Sequence, residues 1–365
     1  MTAIKEKLIA FEDLIVEHRR FREAYEELLD CIQNPVRGMI IMVVGPTGVG
    51  KTRLKEFVNA VLCEYVSKFP EMELSAPLLI EAKRPEVGEY NWKTYFDQGM
   101  RGLAEPGLGR KTNINEALAR IRSGNRGYTY RVMTTSEMRE MYEQAMDQQR
   151  PIATLIDEAQ SIGHCNSGDR RMANMDVVKG LSNSGRTVYV LFGTYEARNM
   201  LRNTAQLARR VHVIDFGRYI DTELDQGEFL SIAQAITTEV GFKMDEDVAT
   251  DWAYFYNYTL GCAGILSQWL ARALAHAYKN NHLHIERKDL EAVRLSDLNL
   301  QAIASEIRSF EFENANSEPF SVKKFFAVPL KDESKPQPPD VTVGKGRKHP
   351  GARDPFRDPV GTDSP

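Results

Sequence analysis

One eight-residue stretch constrains the fold of this chain more than any other, because it fits the GxxxxGK[ST] pattern of a phosphate-binding loop. A continuous apolar run, residues 39–44, precedes it, and a helix-forming stretch that begins at Arg53 follows it. In such a strand–loop–helix unit the glycines let backbone N–H groups converge on phosphate oxygens at a helix N-terminus. The stretch reads Gly45, Pro46, Thr47, Gly48, Val49, Gly50, Lys51 and Thr52.

This loop predicts a site for ATP and Mg²⁺. Lys51 is expected to neutralise the β- and γ-phosphates, and the Thr52 hydroxyl to ligate the metal. The rest of the loop and Arg53, the next residue in the helix, complete the predicted cofactor-binding set.

Two carboxylates end a second apolar run, residues 152–156, about a hundred residues after the loop. At the carboxyl end of a parallel strand, Asp157 would face the crevice in which a nucleotide binds. Asp157 is expected to hold Mg²⁺ through water, and Glu158 to polarise the attacking water. Many strands end in acidic loops, but the phosphate-binding loop upstream favours the catalytic interpretation.

The spacing of apolar residues predicts an α/β fold in which helices flank a five-stranded parallel sheet. The predicted strands are residues 39–44, 77–82, 152–156, 187–192 and 211–216, and helical patterns such as 53–69 and 136–149 separate them. A lead-in helix is expected over residues 11–33. After residue 216 the strand signals stop, and a small all-helical lid module is predicted from helices 223–240, 246–258, 263–279, 287–295 and 299–310.

These patterns divide the chain into four expected segments. They are a lead-in at 1–35, an ATPase core at 36–217, the lid module at 218–312 and a tail at 313–365. Seven prolines and four glycines fall in the last 35 residues, with almost no aliphatic side chains. Such a segment buries too little apolar surface to offset its ordering entropy, so we expect the tail to be disordered.

The composition favours a cytoplasmic protein without a membrane span. The chain is 42% hydrophobic and 27% charged, with a net charge of -4, and no run approaches the length of a transmembrane helix. Its charged start lacks a secretory apolar core. The four cysteines are far apart in sequence, so neither a disulfide framework nor a zinc site is expected.

Polar residues near the last two predicted strands are candidate sensors of the nucleotide. Thr194, after the fourth strand, could bond the γ-phosphate or the water, and it could equally be a helix N-cap. Arg209 and Arg210 precede the fifth strand. They are either solvated surface charges or a pair in which one arginine reaches the nucleotide of a neighbouring subunit. Nothing in the pattern distinguishes the two arginines.

A basic segment between the second and third predicted strands is the candidate DNA contact. Such side chains would bind phosphates without reading sequence. A solvated charged surface remains the alternative, and Tyr128 and Tyr130 could instead mark an extra strand with one buried face. The basic residues are Arg101, Arg110, Lys111, Arg120, Arg122, Arg126 and Arg131.

With these motifs assembled, the chain resembles the TnsC/TniB family of AAA+ transposition regulators. The resemblance covers residues 17–295. The DEAQ box (157–160), the Leu-Ala-Arg-Arg element (207–210) and the Leu-Ala-Glu-Pro stretch (103–106) contribute to it. Its most specific parts are Asn-Trp-Lys-Thr-Tyr-Phe (91–96) and Gly-Cys-Ala-Gly-Ile-Leu-Ser-Gln-Trp-Leu (261–270).

This resemblance implies a bacterial cytoplasmic ATPase that forms a homo-oligomer, ring or helical filament, on double-stranded DNA. It would link a TniQ-type target selector to a DDE transposase, with hydrolysis controlling disassembly. The predicted ATPase residues, Arg209 and Arg210 included, fall on the family's ATPase positions. One departure concerns the arginine that many AAA+ lid modules direct at the γ-phosphate, because Ser267 occupies the place where it is expected.

Other readings of the motifs remain. A P-loop ATPase of bacterial secretion or signalling would carry a similar loop and acidic box without binding DNA, and a scaffold could bind ATP while scarcely hydrolysing it. A helicase with a DEAQ box needs a second RecA-like domain, whereas the chain after residue 216 is predicted to be helical.

Overall fold

The structure is a computed structural model. It describes residues 16–315 except 85–87, 104–132, 166–167, 185–186, 201–207, 240, 242 and 283. Two compact units divide the chain, residues 1–315 and residues 316–365. The predicted tail therefore lies almost entirely outside the described residues.

Five parallel strands form one sheet, as the apolar runs predict. The strands are β1 (Ile40–Val44), β2 (Leu78–Glu81), β3 (Ala153–Asp157), β4 (Val188–Gly193) and β5 (Val211–Asp215). Their order in the sheet is β2-β3-β4-β1-β5, and every neighbouring pair is parallel. Because β1 has a strand on each side and helices on both faces, all five of its residues are buried and its sequence shows no polar alternation.

Helices cover both faces of the sheet. On one face, α1 (Arg19–Gln33) and α2 (Lys51–Lys68) pack against Ile41 and Val43 of β1. On the other face, Ile40 and Met42 contact the core formed with α3 (Trp92–Gly102), α4 (Thr135–Gln149) and α6 (Gly168–Ser184). The short α5 (Gln160–Gly163) connects β3 to this second face.

The chain after β5 is helical, as predicted. Its helices are α7 (Glu223–Glu239), α8 (Glu246–Ala249), α9 (Trp252–Thr259), α10 (Ala263–Lys279), α11 (Arg287–Val293) and α12 (Asp297–Ala315). Trp269 of α10 lies at the centre of this module and is 1% exposed. Its indole N–H donates to the carbonyl oxygen of Leu290 at 2.8 Å, which ties α10 to α11.

Several predicted helix boundaries are wrong, and side-chain caps explain two of them. The single helix expected over 246–258 is divided, because the Asp251 carboxylate accepts from the backbone N–H of Tyr254 at 2.9 Å and starts α9 anew. Residues 16–18 of the expected lead-in helix are not helical, and α1 begins at Arg19, where the His18 side chain caps it by accepting from the Phe21 N–H; residues 11–15 lie outside the described residues. The helix expected over 299–310 runs to Ala315 and so includes the first residues assigned to the tail.

Within the described part of the chain, no helix combines the length and the apolar character that a bilayer-crossing segment requires.

Candidate nucleotide-binding site

The predicted phosphate-binding loop follows the carboxyl end of β1 and leads directly into α2. Gly50 caps α2 with φ at 118°, a backbone conformation that residues with a side chain rarely adopt. The Lys51 ammonium donates to the carbonyl oxygens of Gly45 and Pro46, both at 2.9 Å. Burial lowers the pKa of Lys51, while neighbouring carboxylates, Glu306 foremost, act in the opposite direction.

A cleft of about 930 Å³ opens over this loop. Its floor contains the loop, Asp157, Glu158 and Thr194 from the carboxyl edge of the sheet. Its other wall is one face of α10, whose lining residues recur at helical spacing. They are Gly264, Ser267, Gln268, Ala271 and Arg272.

The backbone of α10 touches the loop directly. The N–H of Ile265 donates to the carbonyl oxygen of Gly48 at 2.9 Å. A Cβ placed on Gly264 would lie 2.6 Å from the same oxygen, so only glycine permits this approach. The helical module is thereby anchored to the residues predicted to hold phosphate.

The acidic pair stands where the sequence predicts, with a basic neighbour that the sequence did not reveal. Asp157, the last residue of β3, is 7% exposed, and its Oδ2 lies 3.5 Å from the Thr52 hydroxyl oxygen. The Lys55 ammonium lies 2.6 Å from that same Oδ2. Hydroxyl and carboxylate oxygens are ligands that Mg²⁺ prefers, so Thr52 and Asp157 fit the predicted metal.

Glu158 and Thr194 are connected through Gln160. The Gln160 amide nitrogen donates to Glu158 Oε2 at 2.5 Å, and its amide oxygen accepts from the Thr194 backbone N–H at 3.2 Å. The Thr194 carbonyl accepts from Ala197 N–H as a short 3₁₀ helix, Tyr195–Met200, begins. Thr194 thus combines the two predicted positions, facing the cleft and preceding a helical turn.

The helical module does offer an arginine to the cleft. The sequence suggested that Ser267 replaces it, but Arg272, one turn after Gln268 on α10, also lines the cavity. Its Nε donates to the Gln268 carbonyl oxygen at 3.3 Å. The spacing from Gly264 along the helix face is the signal that could have identified it.

The last described helix, α12, brings a further carboxylate to the loop, and no sequence motif marks it. The Thr47 hydroxyl donates to Glu306 Oε2 at 2.7 Å, whereas Glu306 Oε1 is buried without a hydrogen-bond partner among the described residues. The Phe310 ring stacks on Tyr195 with centroids 3.6 Å apart. A contact between helices this distant in sequence leaves no local pattern.

Comparisons with known proteins identify the fold that carries this arrangement. Residues 36–201 match the family model described as AAA domain. The chain is similar to the Aeropyrum pernix ORC2 protein, solved as ADPNP–ADP complexes, at 13% identity and a TM-score of 0.53, covering 87% of this chain and 74% of that one. It is also similar to A. pernix ORC1 in complex with DNA, at 14% identity and 0.53, covering 79% and 68%.

A third similar structure is Cdc6p from Pyrobaculum aerophilum, at 13% identity and a TM-score of 0.51, covering 80% of this chain and 73% of that one. No curated protein sequence matches the chain. This chain has the AAA+ fold. It combines a five-stranded parallel sheet, flanked by helices, with a helical part that follows the last strand.

The two arginines that could reach a neighbouring subunit's nucleotide lie at the amino ends of the strands. The cleft lies at the carboxyl ends. Arg209 and Arg210 directly precede β5, whose first residue pairs with Ile40 at the start of β1. The loop follows the other end of β1, about 17 Å away for a five-residue strand. Arg209 is exposed, whereas the Arg210 guanidinium donates to Asn183.

The remaining predicted residues lie in different places. Arg53 lines the cleft and pairs with Glu56 at 2.9 Å. Arg101, near the end of α3, is exposed and pairs with Asp97 at 2.8 Å. The other candidate DNA contacts lie outside the described residues: Arg110, Lys111, Arg120, Arg122, Arg126 and Arg131.

Proposed function

We propose that this chain is an ATPase whose nucleotide state controls its assembly on double-stranded DNA. The observation that carries the proposal is the cleft itself. In it a glycine-rich loop, an acidic strand end and a helix of the lid module converge on one cavity. We further propose that residues 36–217 form the ATPase core and residues 218–312 the lid over it.

Four side chains of the cleft have a proposed role in binding or hydrolysing ATP. Backbone N–H groups of the loop and the Lys51 ammonium hold the phosphates, and the lowered pKa of Lys51 rises again when phosphate charge replaces lost water. Thr52 and Asp157 would hold Mg²⁺, which neutralises charge on the transferred phosphoryl group. Glu158 orients the attacking water and accepts its proton on a carboxylate oxygen.

Arg209 is the proposed arginine finger, acting on a neighbouring subunit's nucleotide. It is exposed and lies at the amino ends of the strands, away from its own cleft. The Arg210 guanidinium, in contrast, donates to Asn183. A head-to-tail arrangement of copies would bring the amino ends of these strands to the next subunit's cleft. Such an arrangement yields a ring or a helical filament.

The resemblance to TnsC/TniB proteins supports a role in DNA transposition in the bacterial cytoplasm. In this role a homo-oligomer on duplex DNA connects a TniQ-type target selector with a DDE transposase. The similarity to a structure of ORC1 in complex with DNA supports DNA as a binding partner. Arg101 and the six basic residues of segment 110–131 are the proposed phosphate contacts.

The decisive experiment measures ATP hydrolysis and duplex binding on the same preparations. Duplex binding should require ATP, weaken steeply with salt, and be lost with ADP. Lys51→Ala should abolish both activities. The Glu158→Gln variant should still bind ATP and DNA, but its rate of ATP hydrolysis should fall at least about a hundredfold. Hydrolysis without any duplex binding would instead support the secretion or signalling class of ATPase.

A mixing experiment tests action between subunits. Lys51→Ala subunits keep Arg209 but cannot use ATP, and Arg209→Ala subunits bind ATP but lack the finger. If the finger acts in trans, a mixture should recover part of the hydrolysis that each variant alone lacks. A mixture no more active than the sum of its parts would exclude this arrangement. Arg210→Ala is the matched control.

A further inference from the structure

Gln160 occupies the centre of a three-residue chain of hydrogen bonds at the carboxyl edge of the sheet. Its amide nitrogen donates to Glu158 Oε2, and its amide oxygen accepts from the Thr194 N–H. Only one orientation of the amide satisfies both partners, since a carboxylate accepts and an N–H donates. Gln160 thus ties the end of β3 to the end of β4.

The backbone around Gln160 is arranged to hold this connection. The N–H of Ala159 donates to the Phe192 carbonyl oxygen at 2.9 Å, which fixes the turn before Gln160 to β4. A Cβ on Gly193 would lie 3.0 Å from the Gln160 amide oxygen. The missing side chain at Gly193 therefore leaves room for the amide.

Glu158 needs such support. Its φ of 54° is in the left-handed region, which residues other than glycine rarely adopt. Glu158 is also exposed at the cleft, so burial does not fix its side chain in place. The bond from Gln160 is the side-chain contact that restrains the carboxylate.

We propose that Gln160 is a positioning residue that sets the Glu158 carboxylate at a defined place relative to Thr194. The proposal rests on the proposed ATPase function and adds to it a residue outside the predicted catalytic set. A base and a phosphate-facing residue held by one side chain keep a constant separation, so the attacking water meets both in one geometry. In this role Gln160 acts through Glu158 rather than on the reacting atoms.

The test uses two variants of the full chain, Gln160→Glu and Gln160→Ala. Gln160→Glu has nearly the same shape and still accepts from Thr194 N–H, but an ionised carboxylate cannot donate to Glu158. We expect kcat to fall about tenfold or more with KM for ATP unchanged. This split between kcat and KM distinguishes lost positioning of Glu158 from lost ATP binding.

Gln160→Ala removes both bonds without adding charge. Its kcat should fall by a similar factor, again with KM for ATP unchanged. Gln144→Glu is the matched control, because Gln144 is an exposed residue of α4 remote from the cleft. It should behave as the parent in every measurement. ATP binding, followed by equilibrium titration, should be unaffected in all three variants.

The outcomes separate this inference from the proposed function. Unchanged kcat in Gln160→Glu and Gln160→Ala, alongside an inactive Glu158→Gln variant, would overturn the role of Gln160 and leave the ATPase intact. A rise in KM matching the fall in kcat would also overturn it, since that pattern indicates lost binding. Full activity in Glu158→Gln would instead remove the catalytic base on which the inference rests.

Discussion

At Gly264 a missing side chain determines how closely two parts of the molecule approach. The N-terminus of α10 lies against the phosphate-binding loop, and the Gly48 carbonyl oxygen would be 2.6 Å from any Cβ at this position. Backbone on both sides of the contact leaves little room for adjustment. A methyl group must therefore push the helix and the loop apart.

We expect Gly264→Ala to weaken ATP binding about tenfold or more, because α10 forms one wall of the cleft. Isothermal titration of ATP measures this effect. Gly227→Ala is the control, since Gly227 lies in α7 and a Cβ there meets nothing within 4 Å. Alanine's helix propensity should make that variant more stable by about 1 kcal/mol. Equal ATP affinity in the two variants would contradict the proposed contact.

Residues within a contiguous motif could be predicted, and residues that reach the cleft from elsewhere could not. Lys51, Thr52 and Asp157 meet as the motif predicts, because each lies at or after the carboxyl end of a buried strand. Lys55 has no such signal, since its ion pair with Asp157 depends on the packing of α2 against β3. Glu306 is further still from any motif, on the last described helix.

Helix α12 connects the helical module to the predicted phosphate-binding loop. Phe310 stacks on Tyr195 beside Thr194, and Arg218 forms two hydrogen bonds with the Glu311 carboxylate at 2.8 and 3.0 Å. These contacts hold Glu306 against the Thr47 hydroxyl. A negative charge is thus fixed beside a loop proposed to bind a polyanion.

Substituting Glu306 with glutamine should strengthen ATP binding. Removing one negative charge near the phosphates is worth about 1 kcal/mol at the edge of a solvated pocket, or about fivefold in Kd. ADP has one phosphate fewer, so the affinity of the variant for ADP should rise by a smaller factor. Gln301→Glu, a charge change at an exposed position of the same helix, serves as the control. Weaker ATP binding in Glu306→Gln would mean that this carboxylate supports the bound state.

Each strand end was predictable to within one residue, whereas three of the described helices, α3, α5 and α6, were not predicted. Buried parallel strands appear as continuous apolar runs, and this signal is local. The helix α6 was missed because its sequence, Gly168–Ser184, has scattered polar residues and little amphipathic periodicity. For α3 the sequence Asn-Trp-Lys-Thr-Tyr-Phe served only as a family signature, although Asn91 caps the helix by accepting from the Thr94 N–H.

The His18 side chain contacts three parts of the fold. Its ring nitrogen Nδ1 caps α1 and accepts from the Tyr219 hydroxyl at 3.0 Å, and its ring stacks on Phe216. Burial, followed by the charges of Arg20 and Arg19, lowers the pKa of His18 from 6.5 to about 4. The folded protein therefore keeps this histidine neutral at pH values where the unfolded chain protonates it.

The protein should accordingly lose stability as the pH falls from about 6.5 to about 4. The unfolded state binds the extra proton in this window, which opposes folding by up to about 1.4 kcal/mol per pH unit. Above about pH 6.5 the contribution of His18 should be constant. Urea unfolding between about pH 7 and pH 5 measures the effect.

His18→Asn provides the comparison. Asparagine can cap α1 but does not titrate. The variant's free energy of unfolding should change less between these pH values than that of the parent. Identical pH dependence in the two proteins would assign the acid sensitivity to other groups.

The ion pair between Lys55 and Asp157 has a consequence for the order in which ligands arrive. A divalent ion approaching alone meets a carboxylate whose charge an ammonium 2.6 Å away already balances. Little electrostatic attraction is left to draw it in or to repay the loss of its hydration shell. A metal ion already chelated by a triphosphate brings its own anionic ligand. It can bind once the Lys55 side chain shifts away from Asp157. Metal and nucleotide should therefore enter as one complex, and the metal by itself should leave the thermal unfolding midpoint unchanged.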